Sequence, residues 1–150
     1  MMFIDGWYLP DGETSFVDYL AWARGTKFPR EYQKEARDES LSHVTKFNTA
    51  IDIGACVGFW SRDLCKRFNK TICFEPYPPS ANSLIKNLQE YNNYELFNVA
   101  LSNQSGTTKL FVVEPSIGTN FISNKMEGYP AIDIEMKRLD EYGFVNVDYM

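Results

Sequence analysis

The 150-residue sequence contains no cluster of lysine and arginine, no long apolar run and no closely spaced cysteine pair. Its 15 basic and 20 acidic residues give a formal net charge of -5 at neutral pH. Neutralising the phosphates of nucleic acid or of an anionic membrane requires concentrated positive charge, so we expect neither as the main partner. No apolar stretch approaches the roughly 20 residues that cross a bilayer. The expected partner is therefore a small molecule.

The cysteines Cys56, Cys65 and Cys73 are odd in number and form no C-x-x-C pair. This pattern predicts neither a disulfide framework nor a zinc site, and each cysteine is interpreted as a small buried residue. The N-terminal segment Met1–Pro10 has no basic region and carries Asp5, so it does not read as a secretory signal. Together these features predict a reducing, cytoplasmic location without a metal site.

Helices dominate the predicted structure of residues 1–47. A pattern resembling a capping box at Ser15 begins the first helix, and Gly25 ends it. A connector at Lys27–Arg30 then leads to a highly charged helix predicted over Glu31–Phe47. We therefore expect residues 1–47 to form an N-terminal helical extension.

From residue 48 onward, short apolar runs alternate with helical stretches, a pattern typical of βαβ units around a parallel sheet. Helical spacing around Leu64 and around Leu84 separates the first three predicted strands. Leu139–Gly143 reads as a short helical turn, and a last apolar run begins at Val145. The predicted strands are Thr49–Ile53, Thr71–Phe74, Tyr94–Leu101, Thr107–Val113 and an alternating run from Ile132 to Met136, with a polar loop over Glu114–Tyr129. The predicted fold class is α/β.

A glycine-bounded loop, Gly54–Gly58, joins the first strand to the next helix. Glycines at such a turn let the backbone approach a ligand and direct helix amides toward it. A P-loop would need Lys after its second glycine, where Phe59 stands, and a dinucleotide fingerprint would need glycine at positions 56 and 59. The acid-x-Gly-x-x-x-Gly spacing that begins at Asp52 instead fits the loop of class I methyltransferases.

Two carboxylates complete this pattern. Asp52, at the edge of the loop, is predicted to take a charge-assisted bond from the amino group of the ligand. Glu75, at the end of the second strand, would accept both ribose hydroxyls, as an acid about 20 residues past the glycine loop does in dinucleotide folds. The alternative is that the glycines serve only the turn and helix packing and that Glu75 is a solvated strand end.

The remaining candidate residues favour structural roles. Phe59 and Trp60 open an amphipathic helix and are predicted to pack in the core. The Trp7–Tyr8 pair is also interpreted as packing, with the lining of an acceptor pocket as the alternative. His43, the only histidine, is predicted to lie on the surface and is not assigned as a general base. The residues identify no catalytic group.

Several segments together resemble the FkbM family of S-adenosylmethionine-dependent methyltransferases, especially the short forms encoded by bacteriophages. They are Ile51–Ser61, Phe74–Pro76, Asn87, Asn98–Ser102, Gly106 and Met136–Asp140. The resemblance covers roughly Tyr32 to Met150. It implies a Rossmann-like class I methyltransferase sheet over residues 48–150, S-adenosylmethionine as cofactor, and O-methylation of a sugar, glycan or small metabolite. The cofactor-binding residues it implies are Asp52, Gly54, Ala55, Cys56, Val57, Gly58, Glu75 and Ala100.

The resemblance also implies a sheet that is incomplete at the C-terminus, because Val147–Met150 matches only the start of the family's next strand. One side of the first strand would then lack a partner, which soluble proteins ordinarily avoid. We therefore expect marginal stability and little activity for this chain alone, with a second chain that supplies the missing strands as a restoring partner. The alternative function is a non-catalytic module that binds an adenosine ligand or a protein.

Overall fold

The computed structural model describes residues 1–24, 31–113, 116–123 and 128–150. Its helices are α1 (Ser15–Arg24), α2 (Lys34–Ser42), α3 (Ser61–Arg67) and α4 (Pro78–Asn87). Its strands are β1 (Met2–Ile4), β2 (Trp7–Leu9), β3 (Thr49–Ile53), β4 (Lys70–Phe74), β5 (Tyr94–Phe97), β6 (Ala100–Leu101), β7 (Gly106–Phe111), β8 (Phe121–Ile122), β9 (Ala131–Lys137) and β10 (Val147–Tyr149). Short 3-10 turns cover Ile117–Thr119 and Leu139–Tyr142.

Some predicted features fall in the gaps between the described ranges. The helix end at Gly25 and the connector at Lys27–Arg30 lie outside the described residues, as do positions 114–115 and 124–127 of the predicted polar loop. The described part of that loop contains β8 and the 3-10 turn at Ile117–Thr119. None of the helices in the described ranges is long and apolar enough to cross a membrane.

A four-stranded parallel sheet in the order β10-β3-β4-β5 carries the candidate site. The helices α3 and α4 connect β3 to β4 and β4 to β5, so these strands are added outward in chain order. β10 lies on the other side of β3, which reverses the direction of addition. This arrangement reproduces the first four strands of the Rossmann order 3-2-1-4-5-6. The predicted α/β class with a Rossmann-like sheet is confirmed.

Alternate residues of the central strands face opposite sides of this sheet. On one side, Ala50 packs with Leu64, and Cys73 packs with Leu84. On the other side, the cluster that contains Phe74 and its neighbours from β3 packs against the segment after β9. Because β3 and β4 are covered on both faces, their sequences are nearly continuous apolar runs.

The prediction of one continuous strand over Tyr94–Leu101 was wrong. β5 pairs with β4, whereas β6 pairs with β9 in a second, four-stranded sheet of order β6-β9-β7-β8. The chain changes sheets at Asn98, whose side-chain amide donates to the Glu75 carbonyl at 2.6 Å. An apolar run reports that a segment is extended, but it does not report which strand it pairs with.

The N-terminal extension is only partly helical. β1 and β2 form an antiparallel hairpin whose turn residues, Asp5 and Gly6, have positive φ angles of 52° and 78°. Asp-Gly between two apolar runs is a strong hairpin signal, so the sequence contained an indication of this hairpin that the prediction of a helical extension did not use. The hairpin packs on α4, where Asn87 accepts from the Tyr8 amide at 2.7 Å and donates to the Tyr8 carbonyl at 2.9 Å.

The charged helix is shorter than the predicted Glu31–Phe47. Gln33 has a φ of +50°, which a helix does not continue through. At the other end, the carbonyls of Phe47 and Asn48 accept from the amides of Asn69 and Lys70, each at 2.9 Å. These residues therefore lie outside the helix and lead into β3.

β10 covers only the beginning of β3. Val147 pairs with Thr49 and Tyr149 with Ala50, with an irregular register between them. In the described ranges, residues 51–53 have no strand partner on this side. Ile53 is 48% exposed there.

Candidate ligand-binding site

The loop Gly54–Gly58 and Glu75 lie at the same edge of the parallel sheet. Ile53, the last residue of β3, is in register with Phe74, the last residue of β4. The amides of Gly54 and Ala55 both donate to the Phe74 carbonyl, at 2.9 and 3.0 Å. The carboxyl ends of two adjacent strands are thus joined directly, at the edge where open α/β sheets bind ligands.

The Glu75 carboxylate is bonded to backbone amides on both of its oxygens. Oε2 accepts from the Cys56 amide at 2.7 Å, and Oε1 accepts from the Tyr77 amide at 2.8 Å. Glu75 is only 7% exposed, and burial raises the pKa of its carboxyl while the two amides oppose that rise. Each carboxylate oxygen has two lone pairs, so one on each remains for a further donor. In this structure the main contact of Glu75 is with the glycine loop.

Cys56 occupies a strained position in the loop. Its φ is +51°, a left-handed conformation that costs a non-glycine residue about 1–2 kcal/mol. The charge-assisted bond from its amide to Glu75 helps to hold this conformation. Burial raises the pKa of its thiol to about 12, so the thiol is protonated at neutral pH. The geometry gives Cys56 a structural role rather than a nucleophilic one.

A cavity of about 450 Å³ opens beside the loop. Asp52, Gly54, Ala55 and Cys56 line it, together with apolar and aromatic side chains. Asp52 accepts from the Ser61 hydroxyl at 2.5 Å, and burial raises the pKa of its carboxyl while Ser61 opposes that rise. Among the described lining residues, Asp52 is the acidic one, and no described lysine or arginine lines the cavity beside it.

The structure does not bring the other proposed cofactor residues to the cavity lining. Val57 is fully buried, and Gly58 packs on α4, where an added Cβ would lie 3.3 Å from Leu84 Cγ. Glu75 does not line the cavity, and its carboxylate accepts from the Cys56 amide of the loop. Ala100 belongs to β6, in the core of the second sheet. The predicted set therefore divides into residues that line the cavity and residues that support the loop or lie elsewhere.

Several aromatic lining residues were missed by sequence reasoning. Phe16 and Tyr32 come from the N-terminal extension, and their rings lie 5.3 Å apart, edge to face. Trp60, expected in the core, lines the cavity and donates from Nε1 to the Gln33 side chain at 2.8 Å. Phe59 is 6% exposed and borders the same cavity. These contacts join residues far apart in the chain, so no local pattern could indicate them.

The remaining candidates lie away from this cavity. Trp7 packs against Phe59, with ring centroids 4.6 Å apart, and Tyr8 contacts Asn87 through its backbone. His43 is exposed beside Glu39, as predicted. Throughout the described ranges, no group of three or more metal-ligating side chains is close enough to hold a metal ion.

The fold and site define a Rossmann-like α/β protein with a cavity at the carboxyl ends of its central strands. The sequence matches no known family profile and no curated protein. Among solved structures it is similar to precorrin 8w decarboxylase from Methanobacterium thermoautotrophicum, with 18% identity over 65% of this chain and 47% of that one, and a TM-score of 0.44.

Two further similar structures are methyltransferases. One is precorrin-6y C5,15-methyltransferase from Geobacter metallireducens, with 18% identity, coverage of 62% and 47% of the two chains, and a TM-score of 0.38. The other is phosphoethanolamine N-methyltransferase 1 from Haemonchus contortus, solved with phosphoethanolamine and S-adenosylhomocysteine, with 13% identity, coverage of 55% and 20%, and a TM-score of 0.40. The chain thus spans less than half the length of these proteins, and likeness of this degree carries no argument about function.

Proposed function

We propose that this chain binds S-adenosylmethionine at the carboxyl ends of β3 and β4 and belongs with the FkbM-like methyltransferases. The acceptor is a hydroxyl on a sugar, glycan or small metabolite. The hydrogen bonds made by the amides of the glycine loop support this proposal. The amides of Gly54, Ala55, Cys56 and Gly58 already donate to protein acceptors, so this loop does not offer them to a phosphate as a P-loop does. S-adenosylmethionine has no phosphate, and it fits a loop that is closed in this way.

The charge of the cavity supports the same ligand. No described lysine or arginine lines the cavity beside Asp52, and the cavity has aromatic walls. A sulfonium or ammonium group beside Asp52 would favour the ionised carboxylate that burial disfavours. Aromatic faces such as that of Trp60 also attract cations. These features favour a positively charged ligand over an anionic one.

S-adenosylmethionine supplies an activated methyl group on its sulfonium, so the protein chiefly aligns the ligand and the acceptor and excludes water. Tyr32 and Cys56, which also line the cavity, have raised pKa values and stay protonated near neutral pH. They are therefore poor bases for an acceptor hydroxyl. We assign Asp52 to the amino group of the ligand and Glu75 to the loop and the ribose hydroxyls.

Calorimetric titration with S-adenosylhomocysteine tests this proposal. Glu75→Gln should weaken binding by about tenfold or more, because it removes a charged acceptor worth about 1.5–3 kcal/mol. His43→Gln, on the exposed end of α2, is the control and should bind as the wild type does. Thermal unfolding of both variants separates lost affinity from lost structure. Equal affinities for wild type and folded Glu75→Gln would refute the role of Glu75. A folded wild-type chain that binds neither S-adenosylmethionine nor S-adenosylhomocysteine would refute the proposed function.

An assay of S-adenosylhomocysteine release with hydroxylated sugars and small metabolites separates enzyme from module. Turnover with any acceptor supports the methyltransferase. Binding without turnover across the panel favours the alternative of a non-catalytic adenosine-binding module.

A further inference from the structure

A second cleft, of about 300 Å³, lies between the N-terminal hairpin and the helices α3 and α4. The residues that line it are Phe3, Gly6, Tyr8, Arg62, Lys66, Lys86, Asn87, Gln89, Glu90 and Tyr91. None of them lines the cavity at the glycine loop. We call it the hairpin cleft.

The hairpin cleft gathers positive charges that lack a carboxylate partner. In the described part of the chain, most lysines and arginines form ion pairs; they are Lys34, Arg37, Arg67, Lys70, Lys109, Lys137 and Arg138. The exceptions with described side chains are Lys46, Arg62, Lys66 and Lys86, and all of these except Lys46 line the hairpin cleft. Among the described residues, Glu90 is the acidic one that lines it. Three of the four described cations without an ion-pair partner thus lie in one cleft.

Arg62 is held in the cleft by contacts with an aromatic ring and a backbone carbonyl. Its guanidinium lies 4.0 Å from the centre of the Trp7 ring, and Nη1 donates to the Gly6 carbonyl at 2.9 Å. An arginine has five N–H donors, so others remain for a ligand. Because the side chain is already ordered, binding an anion costs it little further entropy.

The helix dipole accounts for the lysines but not for Arg62. Lys66 and Lys86 lie in the last turns of α3 and α4, where a cation is favoured. Arg62 lies in the first turn of α3, where the dipole opposes a cation.

The cleft also has an exposed aromatic border. Phe3 is 62% exposed, and its ring lies 4.7 Å from that of Tyr8. Tyr91 lines the same cleft and lies close enough to Arg62 for the guanidinium to oppose the rise in the pKa of its phenol. An apolar ring next to cations suits a ligand that has a flat ring and a negative group.

We propose that the hairpin cleft binds a small phosphorylated molecule, with the phosphate on Arg62, Lys66 and Lys86 and a ring against Phe3. This site is separate from the proposed S-adenosylmethionine site and does not depend on it.

Titration of 15N-labelled protein with phenyl phosphate, inorganic phosphate and phenol at low salt tests the proposal. Phenyl phosphate should shift the amide signals of Arg62, Lys66, Lys86 and Tyr91 and bind more tightly than either fragment. Lys66→Gln and Lys86→Gln should each weaken binding by about two- to fivefold, the range of an exposed ion pair. Lys46→Gln removes an unpaired lysine outside the cleft and should have no effect. Phe3→Ala should remove the advantage of phenyl phosphate over inorganic phosphate.

Three results would overturn the proposal. The first is the absence of any shift at these amides with phenyl phosphate or inorganic phosphate. The second is a loss of affinity in Lys46→Gln as large as that in the cleft variants. The third is that the protein binds an oligonucleotide but does not bind phenyl phosphate. The last result would indicate a polyanion surface instead. S-adenosylhomocysteine binding is measured separately, by calorimetry on the wild type and on variants of Glu75 and His43, so failure here leaves the proposed function unaffected.

Discussion

Replacing Gly58 by alanine tests whether this glycine is required for packing rather than for contact with a ligand. Gly58 has a φ of +91°, and an added Cβ would lie 3.3 Å from Leu84 Cγ and 3.8 Å from Leu88 Cγ. Both leucines are fully buried, so they have little room to move. The backbone strain costs about 1–2 kcal/mol, and overpacking adds about 1 kcal/mol or more. We therefore expect Gly58→Ala to lower the free energy of unfolding by about 2–3 kcal/mol.

Gly12→Ala is the matched control. Gly12 has a φ of +83°, and an added Cβ there meets nothing within 4 Å. This variant should lose only the backbone strain, about 1–2 kcal/mol. Urea unfolding followed by circular dichroism measures both variants. Equal losses, or a smaller loss for Gly58→Ala, would refute the reasoning that Leu84 limits the space at Gly58.

Three further predictions concern buried and edge residues. Burial raises the folded-state pKa of Asp52, so the stability that this group contributes is present at acid pH and is lost as pH rises through that pKa. Asp52→Asn should therefore unfold at a higher urea concentration than wild type at pH 7, and an unchanged urea midpoint would contradict this. Glu13 is 1% exposed and accepts from the amides of Phe16 and Ile117, each at 2.8 Å. Glu13→Gln should therefore lower the free energy of unfolding in urea by about 1–3 kcal/mol and speed hydrogen exchange at the Ile117 amide, and unchanged exchange would refute the role of Glu13 in holding Ile117. Ile53 is exposed on the partly unpaired edge of β3 and should promote aggregation. Ile53→Lys should therefore reduce light scattering without lowering the melting temperature, and equal scattering would show that this edge does not drive aggregation.

The pattern of short apolar runs and helical stretches was sufficient to predict the parallel sheet. β3 and β4 lie within a residue of the predicted Thr49–Ile53 and Thr71–Phe74, because strands buried on both faces need apolar residues throughout. The break at Asn98 was not predictable in the same way. Both halves of Tyr94–Leu101 are extended, and only contacts with β4 and β9 decide that they belong to different sheets.

The sequence by itself determined that a glycine loop and an acid would meet at one sheet edge, because parallel strands place their carboxyl ends together. Only the tertiary structure decided how those residues divide. It directs Asp52 and Cys56 to the cavity, packs Gly58 on Leu84, and bonds Glu75 to the loop backbone. It also brings Phe16 to the cavity from the N-terminal extension. The spacing of residues in the sequence determines where each one lies along a strand or helix. Packing between segments that are far apart in the chain determines whether its side chain lines a cavity or is buried in the core.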